Sequence, residues 1–289
     1  MKKLLPILLT PFLVYAKAVK VDEILTDAHK VKIETTLAYT NIKKKRSLLA
    51  PIRYQTLNGD FVTIPTYMGS SKSNQDYINY GISLKYGVSK DVELFTNLNL
   101  FTSTTHLSDN SFSSQSDRGF SNLSLGFVYQ VKKEDEKPSL LVGASVDAVE
   151  RVAFTSGSKN QYFKGYSLFA TSYYTVDPIV FALKANFRLN SKQSFKGETI
   201  KSGNIFVLSP SIYFAVNPYT SIHWGIKYQY KWKDRANGKV VQNSGSTIGY
   251  NFGISYEINH KTTLNFDAEK FDTNDYASSS INLSLAYKF

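Results

Sequence analysis

The chain has no cysteine, only two methionines and only four histidines in 289 residues. The missing thiols exclude disulfides, thiolate metal sites and cysteine nucleophiles together. The histidines, at 29, 106, 223 and 260, stand on separate stretches with no ligand spacing between them, so no metal and no other cofactor is expected. No glycine-rich phosphate loop is present. After the first 16 residues no apolar run approaches 18 residues, and mean hydropathy is -0.24, which excludes a bundle of membrane-spanning helices. What is abundant is aromatic and basic. There are 20 Tyr and 19 Phe, and 34 Lys+Arg stand against 23 Asp+Glu for a net charge of +11. Aromatics without methionine direct attention to sheets that display Tyr and Phe on a surface.

The N-terminus reads as an address. Lys2 and Lys3 precede an apolar stretch from Leu4 to Tyr15, and Ala16-Lys17-Ala18 supplies small residues where a signal peptidase reads them. Residues 1–18 are therefore expected to be a signal peptide and residues 19–289 the mature domain. A buried helix is disfavoured by Pro6 and Pro11. Loss of Lys2, Lys3 and Lys17 leaves the mature chain at +8.

Strict alternation dominates the rest. Ile281, Leu283, Leu285, Tyr287 and Phe289 fall on one face, and Asn282, Ser284, Ala286 and Lys288 on the other. Period two with one apolar face means a strand. The pattern recurs over 179–189, 222–232 and 248–258, and over 80–88, 92–100, 123–131 and 140–148. Short connections rich in turn-forming residues fall at 89–90, 133–137, 177–178, 217–218 and 259–260. Between them lie long polar links at 41–74, 102–118, 153–161, 190–203, 233–245 and 272–277.

The short turns repeat at roughly 40 to 46 residues, the length of two spanning strands and a long loop. Lipid requires every backbone N–H and C=O to be satisfied internally, and with helices excluded only a closed sheet remains. The expected fold is an all-β, antiparallel, up-and-down transmembrane barrel of twelve strands, with both termini periplasmic and long extracellular loops, 41–74 the largest. Ile52–Leu57 and Phe61–Tyr67 flank Asn58-Gly59, a strong hairpin turn. Their arms are shorter than the ~9 residues a crossing needs, so a hairpin above the membrane is expected, with fourteen strands the alternative. Pro210 is expected to mark a bulge or a membrane boundary. The alternation Ile281, Leu283, Leu285, Tyr287, Phe289 is the ending that outer-membrane barrel-assembly machinery recognises.

The segments Tyr86-Gly87-Val88-Ser89-Lys90-Asp91-Val92-Glu93-Leu94, Gly119–Gly126, Asp177-Pro178-Ile179 and Leu285–Phe289 resemble the outer-membrane family named for the meta-pathway of phenol degradation. Asn122 stands where that pattern carries an Asp. The resemblance implies an outer-membrane barrel passing small, often aromatic or apolar compounds, and it implies no catalysis.

Parity places Lys184 and Arg188 inward on the seventh strand, and His223, Lys227 and Lys231 inward on the ninth. Lys85, Glu93, Asp147, Asp267 and Glu269, with Glu34, line other walls. An excess of basic lumen groups favours anions, and the same charges could instead pair and plug the interior. The expected function is a passive pore for a small-molecule solute, with Lys85, Lys184, Arg188, His223, Lys227 and Lys231 setting selectivity and loop 41–74 closing over or into the mouth. The rival is a barrel that merely anchors surface loops. His106-Leu107-Ser108 has the spacing of an outer-membrane phospholipase base and nucleophile, but it sits in a polar loop and reads better as solvated. The expected partners are outer-membrane lipid and lipopolysaccharide, the latter against Lys43–Arg46; nucleic acid is not among them.

Overall fold

Alternation becomes strand wherever it is strict. The computed structural model describes residues 25–45, 51–56, 59–64, 73–107, 114–154 and 156–289; the expected signal peptide lies outside them. Twelve long strands run through it: β1 (Val31–Lys44), β2 (Ser73–Gly87), β3 (Val92–Leu107), β4 (Ser114–Lys132), β5 (Leu140–Phe154), β6 (Gly165–Val176), β7 (Ile179–Asn190), β8 (Ile205–Asn217), β9 (Thr220–Lys231), β10 (Gly245–Asn259), β11 (Thr262–Asp272) and β12 (Tyr276–Lys288). Each pairs antiparallel with its neighbours, and β1 pairs with β12 from Lys32↔Lys288 to Lys44↔Tyr276, so the sheet closes without a free edge.

The polarity of this sheet is inverted relative to a water-soluble one. On β12, Ile281 and Leu283 are 49% and 44% exposed, whereas Asn282 and Ser284 are 1% and 2%. Leu, Ile and Phe thus face outward along the strands, as at Ile82, Leu94, Leu125, Phe181 and Ile254. Tyr86, Tyr129, Tyr219, Tyr256 and Tyr287 ring the end with short turns, and Tyr162, Tyr166, Trp232 and Tyr250 the end with long loops. Two aromatic girdles around an apolar band are the signature of a bilayer-spanning barrel. At the β4–β5 turn, the Lys137 backbone N–H and the Lys132 ammonium hold the Asp135 carboxyl below its usual range.

Asn58 lies outside the described residues, but the expected hairpin forms, its arms paired on either side of Gly59, which stands at φ 94°, a left-handed conformation that favours glycine. Its location is a correction. The arms Ile52–Gln55 and Phe61–Ile64 pair only with each other, which removes the fourteen-strand alternative. They lie inside the barrel, not above it, because every residue of both arms is buried. Ile52, Tyr54, Val62 and Ile64 share one face and pack into a core with Ile42, Tyr77, Phe101, Phe271 and Tyr276 from the inner wall. The opposite face carries Arg53 and Thr63. Pro210 is a second correction: it faces outward, and the register runs through it unshifted, from Leu208↔Tyr228 to Ser211↔Gly225. An outward proline at a lapsed rung of the ladder needs no extra residue.

A bulge occurs elsewhere. Between β4 and β5 the pairs step from Leu123↔Val149 to Ser124↔Asp147, leaving Ala148 as the additional residue. Odd-numbered residues face inward up to Asp147, and even-numbered ones, Glu150, Val152 and Phe154, are buried beyond it. At the long-loop end, Gln193–Phe195, Glu198–Lys201, Asp234–Ala236 and Lys239–Gln242 form a separate four-stranded sheet.

Replacing Leu283 by Lys places an ammonium in the apolar band and is expected to destabilise the barrel by about 2–4 kcal/mol, with a far smaller cost for Ser284→Ala on the inner face. Urea titration of folding into lipid bilayers measures both.

Candidate functional site

The interior divides at the hairpin. Toward the long loops the apolar face of the hairpin packs against the wall around Ile42, Tyr77, Phe101, Phe271 and Tyr276. Toward the short turns a chamber of about 630 Å³ remains, roofed by Gln55, Gly59, Asp60 and Phe61 and walled by residues from all twelve strands.

Opposite charges pair at several points of the inner wall. Lys227 Nζ lies 3.1 Å from Glu269 and donates at 3.1 Å to the Gln55 carbonyl of the hairpin. Tyr54 donates to Glu269 at 3.1 Å. Arg188 pairs with Asp147, both almost fully buried, and lies over the Phe61 ring. Lys85 pairs with Glu34 at 3.3 Å. Glu93 accepts the Thr26 N–H at 2.7 Å, which ties the N-terminal segment to the wall. Lys231 leaves the chamber altogether, pairing at 2.6 Å with Asp234 at the base of the four-stranded sheet. His223 Nε2 stands 3.4 Å from Asp267 and its ring lies 4.9 Å from that of Tyr213. Both residues are in register with Gly253 on the intervening strand, and a Cβ there would collide with both side chains; the glycine lets the pair meet across β10.

Most of the sequence-selected lumen residues therefore do face the interior, where Lys85, Arg188 and Lys227 are each neutralised by a carboxylate while Glu93 meets only a backbone amide among the described residues. Lys184 differs: its side chain is exposed to the chamber and forms no ion pair or hydrogen bond with any described residue.

Four residues outside that selection matter: Arg53, Glu150, Lys32 and Asn122. Arg53 pairs with Glu150, which also accepts from Thr63 and, at 3.0 Å, from Gln193. Strict alternation puts Glu150 outside; the bulge at Ala148 brings it in, and a carboxylate at an outward position was the available signal. Lys32 joins Lys184 as a chamber cation with no ion-pair partner among the described residues. Asn122 donates to the Phe61 carbonyl at 3.2 Å and to Asp147 at 3.5 Å, so the amide helps hold the hairpin. His106 lies at the long-loop end with Nε2 3.5 Å from Asp76; Ser108 is outside the described residues. Among the described residues no cluster of His, Asp and Glu has the makings of a metal site.

A family model described as the outer membrane protein beta-barrel domain matches residues 122–289, more than half of the chain. The chain belongs to that family. It is an outer-membrane barrel, and its outward apolar band faces lipid. No curated protein matches it in sequence. Among solved structures, an outer membrane channel from Pseudomonas putida F1 is similar with a TM-score of 0.64 at 12% identity, over 91% of this chain and 96% of that one. The translocator domain of the autotransporter NalP from Neisseria meningitidis gives 0.55 at 10% identity, over 91% and 90%. The porin NanC gives 0.52 at 10%, over 89% and 100%. These likenesses are of fold.

Lys227→Met is expected to cost about 3–5 kcal/mol by leaving Glu269 buried and unpaired, and the further change Glu269→Gln is expected to recover most of it. Chemical unfolding of the two variants in lipid vesicles checks the order.

Proposed function

We propose that the barrel is a passive outer-membrane channel for small molecules, closed at its long-loop end by hairpin 51–64. The observation that carries this reading is the chamber with two ammonium groups, Lys184 and Lys32, that have no ion-pair partner among the described residues: a mere anchor needs no charged cavity. The resemblance of Tyr86–Leu94 and Gly119–Gly126 to the phenol meta-pathway family supports a channel for small, aromatic or apolar compounds, and Lys184, which has no ion-pair partner among the described residues, supports a preference for anions at the β6–β8 wall. In this reading residues 1–18 direct export and are removed. Both termini and the short turns are periplasmic, the four-stranded sheet is extracellular, and the ending Ile281 to Phe289 is read by the assembly machinery. The protein is not an enzyme.

Conduction requires the hairpin to move. Its polar face is held by Arg53 on Glu150 and by Lys227 on the Gln55 carbonyl, and its apolar face by the core around Tyr77 and Phe101. The anchor reading draws support from one feature, the exposed Lys192, Lys196, Lys201, Arg235 and Lys239 on and beside the four-stranded sheet, a basic surface suited to an acidic partner.

In planar bilayers the intact protein is expected to conduct weakly and rarely. Exchange of residues 51–64 for a Gly/Ser linker of equal length is expected to raise conductance several-fold, with a reversal potential favouring chloride. A correctly folded barrel that stays silent without its hairpin would sink the channel and leave the anchor.

A further inference from the structure

One part of the chamber wall is built to be apolar. Phe95 on β3 and Phe169 on β6 lie over glycines of the neighbouring strands: a Cβ at Gly126 would collide with the Phe95 ring, and one at Gly143 with the Phe169 ring. The rings thus lie along the sheet instead of projecting across the lumen. Their centroids are 6.1 Å apart with planes at 49°, and together they form a shelf on which a further ring can rest. Aromatic contacts of this kind are favourable in offset or tilted geometry.

Lys184, a cation with no ion-pair partner among the described residues, stands near this shelf. Lys184 on β7 is in register with Thr171 on β6 and Ser209 on β8, and all three line the chamber. Thr171 is the next inward position after Phe169 on the same strand, about 7 Å along it. The ammonium and the two flanking hydroxyls offer donors to an anionic oxygen pair, and the apolar shelf lies one side chain away. A purely apolar solute would leave the ammonium unused, and a small inorganic anion would leave the shelf bare.

We propose that the chamber binds single-ring aromatic carboxylates, the ring against Phe95 and Phe169 and the carboxylate at Lys184 between Thr171 and Ser209. This rests on the channel reading for its purpose, since solute has to reach the chamber from the bulk, but binding is measured without conduction. The chamber lies below the hairpin and extends to the short-turn end, where Leu25 and Glu93 line it.

Ligand-observed NMR on the purified full-length barrel in detergent tests it with benzoate and with the two halves of that molecule, toluene and acetate. Benzoate is expected to bind at least about ten-fold more tightly than either half, as a charge-assisted hydrogen bond added to ring contact requires. Lys184→Gln is expected to weaken benzoate roughly ten- to a hundred-fold and to leave toluene unchanged. Phe169→Leu is expected to weaken benzoate and toluene together and to leave acetate unchanged. Benzoate binding no better than acetate, or unaltered by Lys184→Gln, overturns the assignment. Should Lys184→Gln fail to fold, judged by heat-modifiable gel migration, Phe169→Leu decides alone, and unchanged benzoate affinity overturns it. A barrel that binds benzoate yet never conducts without its hairpin refutes the channel and keeps the site; one that conducts chloride but ignores benzoate refutes the site alone.

Discussion

The seam between β1 and β12 governs everything else in this molecule. In hydrocarbon an unpaired backbone amide has no water to turn to, so the first and last strands must find each other, and thirteen consecutive residues of β1, from Lys32 to Lys44, do so without a break in register. Closure fixes an inside and an outside for every side chain. The outside is then obliged to be apolar and the inside is left to dispose of the polar groups, which is why Asn282 and Ser284 are buried beside exposed Ile281 and Leu283.

A twelve-stranded cylinder has more interior than its own wall side chains fill. Here the surplus is taken up by a segment borrowed from the first loop. The hairpin is two-faced in the way its surroundings demand: aliphatic and aromatic side chains meet the wall of β1–β3, β11 and β12, while Arg53 and Thr63 meet Glu150 on β5. Carboxylates that in an open pore would act on passing ions serve instead as counter-charges for the plug and for the basic residues of the wall. The space left over is small, and the charges that this pairing does not consume are of both signs, Lys184 and Lys32 against Asp60 and Glu93, placed on different parts of its lining.

Much of the architecture was legible from parity and turn chemistry. Alternation along Ile281–Phe289 and Ile222–Trp232, with short turns at 177–178 and 217–218, is enough to place strands, their order and the closed sheet. The hairpin around Gly59 was legible as a hairpin but not as a plug. Its arms carry Ile52, Tyr54, Val62 and Ile64, and a local pattern cannot state whether such residues are covered by a neighbouring loop or by a barrel wall far away in sequence. The inward set was legible where strands are regular, as for Lys184, Arg188, His223 and Lys227. Which of those charges remain free was not, because pairing joins residues separated by many strands. Glu150 was lost for a different reason: one extra residue inverts the parity on which the whole reading depends.

That inversion at Ala148 has a genetic corollary. Below it β5 is read in one frame and above it in the other, so the two halves of a single strand obey opposite rules about which codons tolerate a charge. Deleting Ala148 would leave Asp147 inward, Val149 outward and Glu150 inward in unbroken alternation, whereas flattening the bulge with Ala148 kept would exchange the faces of Glu150, Val152 and Phe154 at a stroke, sending a carboxylate toward the acyl chains and withdrawing the counter-charge of Arg53. In this barrel a one-residue change of length is therefore absorbed by the bulge without turning the strand over, and divergence between relatives is to be sought in the spacing of such residues as much as in their identity.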